Sequence, residues 1–204
     1  MRVLVACEFS GVVRRAFRAR GHDAWSCDLL PAEDGSEAHI EGDVLEILDD
    51  GWELMIAHPP CTYLCSSGLH WNKRRPEREQ LTHDAIIFAL NLMGDGFIAH
   101  DIPMVALENP IGRLSTAYRK PDQVIQPYQF GHDASKSTCL WLKNLPPLRP
   151  TGFIDPRMVN GKPRWGNQTD SGQNRLPPSD TRWAERSRTY EGIAAAMAGQ
   201  WGTL

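Results

Sequence analysis

The sequence has no long apolar run, no cysteine framework and no strong excess of charge of either sign. Its longest apolar stretch, Ala85 to Leu90, falls far short of the roughly 20 residues that a membrane helix needs. Met1-Arg2-Val3-Leu4-Val5-Ala6 is apolar but enters a glycine turn within a few residues, too soon for a signal peptide. The five cysteines are odd in number and scattered, which argues against a disulfide scaffold and suits a reducing cytoplasm. A formal net charge of −3 gives no global pull towards a polyanion, so any nucleic-acid partner must be held by local patches. Internal repeats, low-complexity tracts and the three-glycine dinucleotide fingerprint are also lacking. What is there is enough for one sizeable core: 204 residues, 41% of them hydrophobic.

The apolar pattern predicts alternating strands and helices. Val3 to Cys7 reads as a strand covered on both faces. After the turn Phe9-Ser10-Gly11, the residues Val12, Val13, Ala16, Phe17 and Arg20 recur at helical spacing, with Arg14, Arg15 and Arg18 expected outside and Gly21 as the stop. Ala24 to Cys27 is a second strand ending in Asp28, which completes a βαβ unit and favours a parallel sheet. Further strands are expected at Leu54 to Ala57, Met104 to Leu107 and Cys139 to Leu142. One helix is striped by Leu81, Ala85, Phe88, Ala89 and Leu92, and a final one by Tyr190, Ile193, Ala194, Met197, Ala198 and Trp201. From Leu145 to about Pro178 the chain is rich in Pro, Gly, Asn and Arg without periodicity, an irregular excursion. The expected division is a core over residues 1–144, an insertion over 145–180, and a returning C-terminal helix over 181–204.

The chemistry-bearing residues fall just after strands, and in open parallel sheets ligands bind at the carboxyl ends of the strands. Pro59-Pro60-Cys61 delivers a thiol to that rim, where a nucleophile would stand, and Glu108-Asn109 delivers a carboxylate at a second strand end. Phe9-Ser10-Gly11 followed by a helix, with Asp28 at the next strand end to accept ribose hydroxyl protons, forms a nucleoside site. There the backbone N–H groups of the helix start would approach the ligand. Asp43 could accept from an adenine amino group, or simply start a solvated helix. Lys73-Arg74-Arg75 and the segment containing Arg164 and Trp165 are the local patches suited to phosphate contact and base stacking. A zinc deaminase competes for the same residues: His39-Ile40-Glu41 followed by Pro60-Cys61 and Cys65 approximates its signature. The Cys61–Cys65 spacing is one residue too long and His39 lies in a polar loop, while His58, Cys61, Cys65 and His70 match no common zinc module. No metal is expected.

With a Phe-x-Gly turn, an acidic strand end, Pro-Pro-Cys and Glu-Asn-Pro in this order, the chain resembles the cytosine-5 DNA methyltransferases, and among them the short versions carried by bacteriophages. The resemblance covers residues 1 to about 142 and again 186 to 201. It implies a Rossmann-like S-adenosylmethionine-dependent methyltransferase fold, α/β with a mostly parallel sheet and a small irregular insertion. It places Phe9, Ser10, Gly11, Asp28, Leu29, Asp43, Pro59, Gly192 and Ile193 around S-adenosylmethionine. Cys61 is then the nucleophile and Glu108, with Asn109, the base-activating carboxylate. Lys136 stands nearest to the family's Arg-x-Arg cation, and Pro60, Lys73, Arg74, Arg75, Arg164 and Trp165 face the substrate. Three departures stand out: Cys7 replaces the aspartate before the Phe-x-Gly turn, with Glu8 one position along; Thr62 replaces glutamine after the cysteine; and no Arg-x-Arg strand is evident.

Such chemistry needs a thiolate to add to carbon 6 of the ring, so that carbon 5 becomes nucleophilic enough to take an electrophilic methyl. A helix start or a nearby cation would help to ionise Cys61. Burial is expected to raise the pKa of Glu108, so that it can donate a proton to nitrogen 3. DNA is the expected partner. A free cytosine nucleotide, or a non-catalytic nucleotide- or nucleic-acid-binding role on the same fold, remains compatible with the residues.

Overall fold

The computed structural model describes residues 1–204. Nine strands and six helices alternate as β1 (Arg2–Ala6), α1 (Val12–Arg18), β2 (Asp23–Asp28), β3 (His39–Glu41), β4 (Leu54–Ala57), α2 (Ser66–Leu69), α3 (Glu77–Met93), β5 (Met104–Pro110), α4 (Leu114–Ala117), β6 (Gln123–Ile125), β7 (Thr138–Lys143), β8 (Arg157–Val159), β9 (Lys162–Arg164), α5 (Arg182–Ser187) and α6 (Glu191–Trp201). Strands β1 to β7 form one sheet in the order β3-β2-β1-β4-β5-β7-β6. All neighbours are parallel except β7, which runs antiparallel to β5 and β6.

Because successive strand side chains point to opposite faces, each central strand feeds two cores. Val3, Val5, Leu54, Ile56, Ala106 and Leu140 face α1 and α6, where they meet Phe17, Ile193, Met197 and Trp201. Leu4, Ala6, Met55, Ala57, Val105, Leu107 and Trp141 face α3, where they meet Ala89, Leu92 and Met93. Double coverage is the reason β1 and β4 read as unbroken apolar runs. No helix is long and apolar enough to cross a membrane.

Four sequence expectations are corrected. Arg14 does not lie outside α1. It is fully buried, donating from Nη1 to Ser26 Oγ at 2.8 Å and from Nη2 to both Asp34 oxygens at 2.6 and 2.5 Å. Leu81 does not join the core but stays 40% exposed, because the buried face of α3 lies over its last turns. His39-Ile40-Glu41 is not loop but the edge strand β3, paired with Ser26, Cys27 and Asp28. The 145–180 excursion is not wholly irregular: β8 and β9 form an antiparallel hairpin around Asn160 (φ 49°) and Gly161 (φ 72°). Asn-Gly is the two-residue turn that prefers this doubly left-handed geometry, and that dipeptide was the available signal.

The Arg14–Asp34 pair locks the β2–β3 crossover onto α1. Burial pushes the Asp34 carboxyl up, but hydrogen bonds and charge from Arg14 and Arg15 outweigh it and hold it at about 2. Its contribution to stability is therefore full above the ordinary aspartate range. It disappears as pH falls through about 2. Asp34→Asn leaves the buried guanidinium without its anion. With Asp34 partly solvated, the expected cost at neutral pH is about 2–3 kcal/mol, measured as a lower urea midpoint at unchanged m-value.

Candidate functional site

The strand order reverses between β1 and β4, and the loops that leave their carboxyl ends diverge to opposite sides of the sheet. This opens the crevice in which such folds bind ligands. Residues 7–11 and 58–61 follow β1 and β4, and Asp28 is the last residue of β2; Glu108, expected just after its strand, lies inside β5, which runs on to Pro110 against β7, but stands at the same side of the sheet. The convergence expected from sequence is thus present in the topology.

On the β1 side the turn is built around Gly11, which caps α1 at φ 66°; a Cβ there would sit 2.4 Å from Arg14 Nη2. Cys7 is in the left-handed region (φ 60°), and its thiol is pushed far up by burial and by Asp28. The acidic group at this turn is Glu8. Its buried carboxylate accepts from Val13 N at 2.7 Å and Arg14 N at 3.2 Å. This corrects the expectation that the N–H groups of the helix start meet the ligand directly, since two of them already hold an internal carboxylate. A phosphate would be repelled there, whereas a nucleoside without phosphate would not be.

Asp28 ends β2 half-buried, with Oδ1 accepting from Leu30 N at 3.0 Å. Burial raises its pKa, against the opposing Leu30 and Leu29 N–H groups and His39. Leu29 beside it is 74% exposed, an apolar surface at the rim. Asp43 is exposed and caps the 3-10 turn Val44–Ile47, accepting from Leu45 N at 3.0 Å. It has one oxygen engaged in a purely local role. The Phe9 ring lies 5.7 Å from Trp183 of α5. Trp183, 57% exposed, was not singled out from sequence. Its position in an aperiodic Pro-rich approach to the last helix gave no signal.

The β4–β5 side carries the groups expected to react. Parallel register pairs Ala57 with Leu107, so the next residues, His58 and Glu108, stand side by side. His58 Nδ1 lies 3.2 Å from Glu108 Oε2. Asn109, expected among the catalytic groups, is buried and instead donates from Nδ2 to the Pro59 carbonyl at 2.9 Å, clamping the Pro-Pro-Cys turn. Pro59 is buried beneath that clamp while Pro60 is exposed. Cys61 is exposed, and its carbonyl accepts from Leu64 N and Cys65 N in the turn that follows. Although the residue is exposed at the surface, partial desolvation by the surrounding protein is the largest influence pushing the Cys61 thiol above its ordinary range. Cys65 and Glu108 add to that shift, and Lys136 opposes it. The cation expected to ionise the thiol is therefore in place but outweighed.

Antiparallel pairing of β7 with β5 brings Lys136, two residues before β7, back towards Glu108. Its Nζ also donates to the Arg186 carbonyl at 2.9 Å. The Glu108 carboxyl does not move as anticipated. Burial raises its pKa, but the His58 hydrogen bond and the charge of Lys136 outweigh this and leave it below the usual carboxylate range. A narrow cavity beside it is lined by Lys136, Thr138, Thr189, Tyr190, Ile193 and Met197. Ile193 is buried there. Gly192, expected at the cofactor, is tightly packed. Its N–H donates to His132 Nε2 at 2.8 Å, and a Cβ would meet the Phe130 carbonyl at 1.9 Å.

The remaining expectations separate. Lys73, Arg74 and Arg75 form an exposed basic loop, with both guanidinium groups within 5.6 Å of the Trp71 ring. Trp165 is not free to take a base on both faces, since Tyr128 stacks on it at 4.4 Å. Arg164 donates to the Asp170 and Pro163 carbonyls of its own loop. The deaminase ligand set is not assembled: His39 uses both ring nitrogens on Ser26 and Leu30. It also sits on β3, three strand spacings (about 14 Å) from β4. Nowhere do three or more His, Cys, Asp or Glu side chains converge as a metal would require.

A comparison with protein-family profiles finds no match, and a comparison with curated proteins finds none either. Solved structures do match. The Entamoeba histolytica methyltransferase EhMeth is similar with a TM-score of 0.53 at 11% identity, over 76% of this chain and 58% of that one. A protein of E. coli described as a prophage-encoded DNA modification methyltransferase is similar with a TM-score of 0.48 at 14% identity, over 79% of this chain and 53% of that one. The present chain thus spans little more than half the length of either. Taken with the mostly parallel seven-stranded sheet, the likeness to EhMeth shows a Rossmann-like methyltransferase fold.

Proposed function

We propose that this chain transfers a methyl group from S-adenosylmethionine to carbon 5 of cytosine in DNA, through a covalent adduct at Cys61. The observation that carries this reading is the single rim on which an exposed thiol, a paired carboxylate and a lysine couple electrostatically. They stand on the same side of the sheet as the Phe9–Gly11 turn and Asp28. The likeness in fold to EhMeth, a methyltransferase, points the same way.

The donor set fits a nucleoside sulfonium. Asp28 retains acceptor capacity for a ribose diol, and Phe9 and Leu29 supply apolar surface. The Glu8 carboxylate closes the helix start to phosphate. S-adenosylmethionine supplies the electrophilic methyl group. Cys61 adds to carbon 6 of the ring, and the negative charge that develops at nitrogen 3 is met by a proton delivered at Glu108 and by the cation of Lys136. Asn109 holds the Pro59 carbonyl and so fixes the height at which the sulfur stands. After transfer the carbon 5 proton leaves to solvent, and elimination returns the thiolate.

DNA is favoured over a free nucleotide by the exposed Lys73-Arg74-Arg75 loop shortly after Cys61. The 145–180 segment, anchored through Trp165 on Tyr128 and Asn167 on Ser135, stands as a small target-recognition region. The decisive assay compares tritiated methyl transfer to duplex DNA, single-stranded DNA and dCMP. Label is expected in DNA at carbon 5 of cytosine. Label in dCMP alone would move the substrate to the nucleotide pool, and label in none would end the enzymatic reading.

A further inference from the structure

Resting on that reading, the structure assigns a role to His58, a residue at the strand end that no motif singled out for this chemistry. We propose that His58 is a positioning residue for Glu108: the pair shares one proton across the Nδ1···Oε2 contact and delivers it through the Glu108 carboxyl to nitrogen 3 of the target ring.

Three observations carry this. First, the contact is dictated by strand register: Ala57 pairs with Leu107, so His58 and Glu108 lie abreast, with Nδ1 and Oε2 3.2 Å apart. Second, the imidazole has no competing polar role. Its side chain is only 9% exposed, and Nε2 is buried without any hydrogen-bond partner. A histidine kept there for packing alone could be replaced by an apolar side chain at no polar cost. This one leaves a nitrogen unsatisfied to place the other on a carboxylate. Third, Glu108 by itself is poorly suited to donate. Its carboxyl lies below the usual range and is ionised at neutral pH, so a proton for the ring must be held by the pair. The charged and titratable groups around Glu108 are Lys136 before β7, Cys139 on β7, Cys61 in the loop after β4, and Tyr190 ahead of α6, which lines the same cavity.

The proton balance closes. Before addition, the pair holds one proton between Nδ1 and Oε2. As the Cys61 sulfur bonds to carbon 6, an N–H bond forms at ring nitrogen 3 and the Nδ1–H bond of His58 is given up through the carboxyl. That leaves neutral imidazole with carboxylate. On elimination, ring nitrogen 3 returns the proton to the pair.

The test uses His58→Asn, which keeps an N–H near the Nδ1 position but cannot hold a titrating proton, and His58→Ala. With S-adenosylmethionine binding intact, both are expected to lower kcat about 10- to 100-fold with KM for DNA little changed. The limb on which activity falls with rising pH should move to lower pH by more than one unit. An unmoved limb in the asparagine variant would reduce His58 to a structural residue and overturn the proposal. A second readout does not need activity: the ring nitrogen shifts of His58, followed by NMR against pH, should titrate at lower pH in Glu108→Gln than in the native protein. Identical titrations would overturn the pairing even in an active enzyme. A native protein that transfers no methyl group, yet shows the shifted titration, would instead put the fault in the proposed function.

Discussion

Cys61→Ala is expected to lose methyl transfer to cytosine entirely, a fall of at least about 10⁴-fold, on the scale seen when a covalent nucleophile is removed. Binding of S-adenosylmethionine, read by calorimetry, should stay within about twofold, because Cys61 is exposed and no rim residue of the β1–β2 side contacts it through a hydrogen bond. DNA carrying 5-fluorocytosine should trap the native protein as a methyl-dependent adduct, seen by mass spectrometry on the peptide containing Cys61. An alanine variant that still transfers methyl groups would remove the covalent step from the mechanism. The sign of the pH dependence follows from the thiol. Burial, Cys65 and Glu108 raise it above its ordinary range, so little thiolate exists at neutral pH in the free protein and the thiolate fraction grows as pH rises. Transfer should therefore climb through neutrality on the acidic side of its optimum. Of the five cysteines, only Cys61 is exposed, so access favours its alkylation once the pH is high enough to form its thiolate.

Glu108→Gln is expected to lower kcat by about 10² to 10⁴-fold, the usual worth of a positioned proton donor. The same substitution removes a negative charge that disfavours the Cys61 thiolate. Alkylation of Cys61 at neutral pH should therefore become faster as methyl transfer collapses. That opposition separates loss of chemistry from loss of folding, because a disordered rim would change both without such a pairing. Slower alkylation with slower transfer would mean that Glu108 supports the site structurally rather than protonating the ring. A Glu108 held below the usual carboxylate range also means that the native protein keeps its carboxylate as pH falls through the ordinary glutamate range. Any stability it contributes is full above that range and lost only at more acid pH.

Local patterns were enough for the strands and for the rim. Val3–Ala6 and Leu54–Ala57 are apolar on both faces, which occurs when helices cover a parallel sheet on both sides. The rule that ligands sit at carboxyl strand ends then gathers Phe9–Gly11, Asp28, Cys61 and Glu108 on one rim from sequence alone. The misreadings arose where a residue's role depends on a distant partner. Arg14 belongs by spacing to the outer face of α1, but Asp34 and Ser26 make its burial tolerable. Asn109 sits beside the reactive carboxylate in sequence and works on the backbone of another strand end.

Read alone, the chain singles out the atoms suited to react: one thiol and one carboxylate, each close to the end of an apolar strand, on a chain long enough for one core. Their protonation is set by packing in three dimensions. Register between β4 and β5 sets His58 beside Glu108, and the antiparallel return of β7 sets Lys136 near both, so the buried carboxyl is pulled below its usual range while the exposed cysteine's thiol is pushed above its own. A pKa sums burial and charge over neighbours that lie far apart along the chain. No spacing within one segment carries that sum.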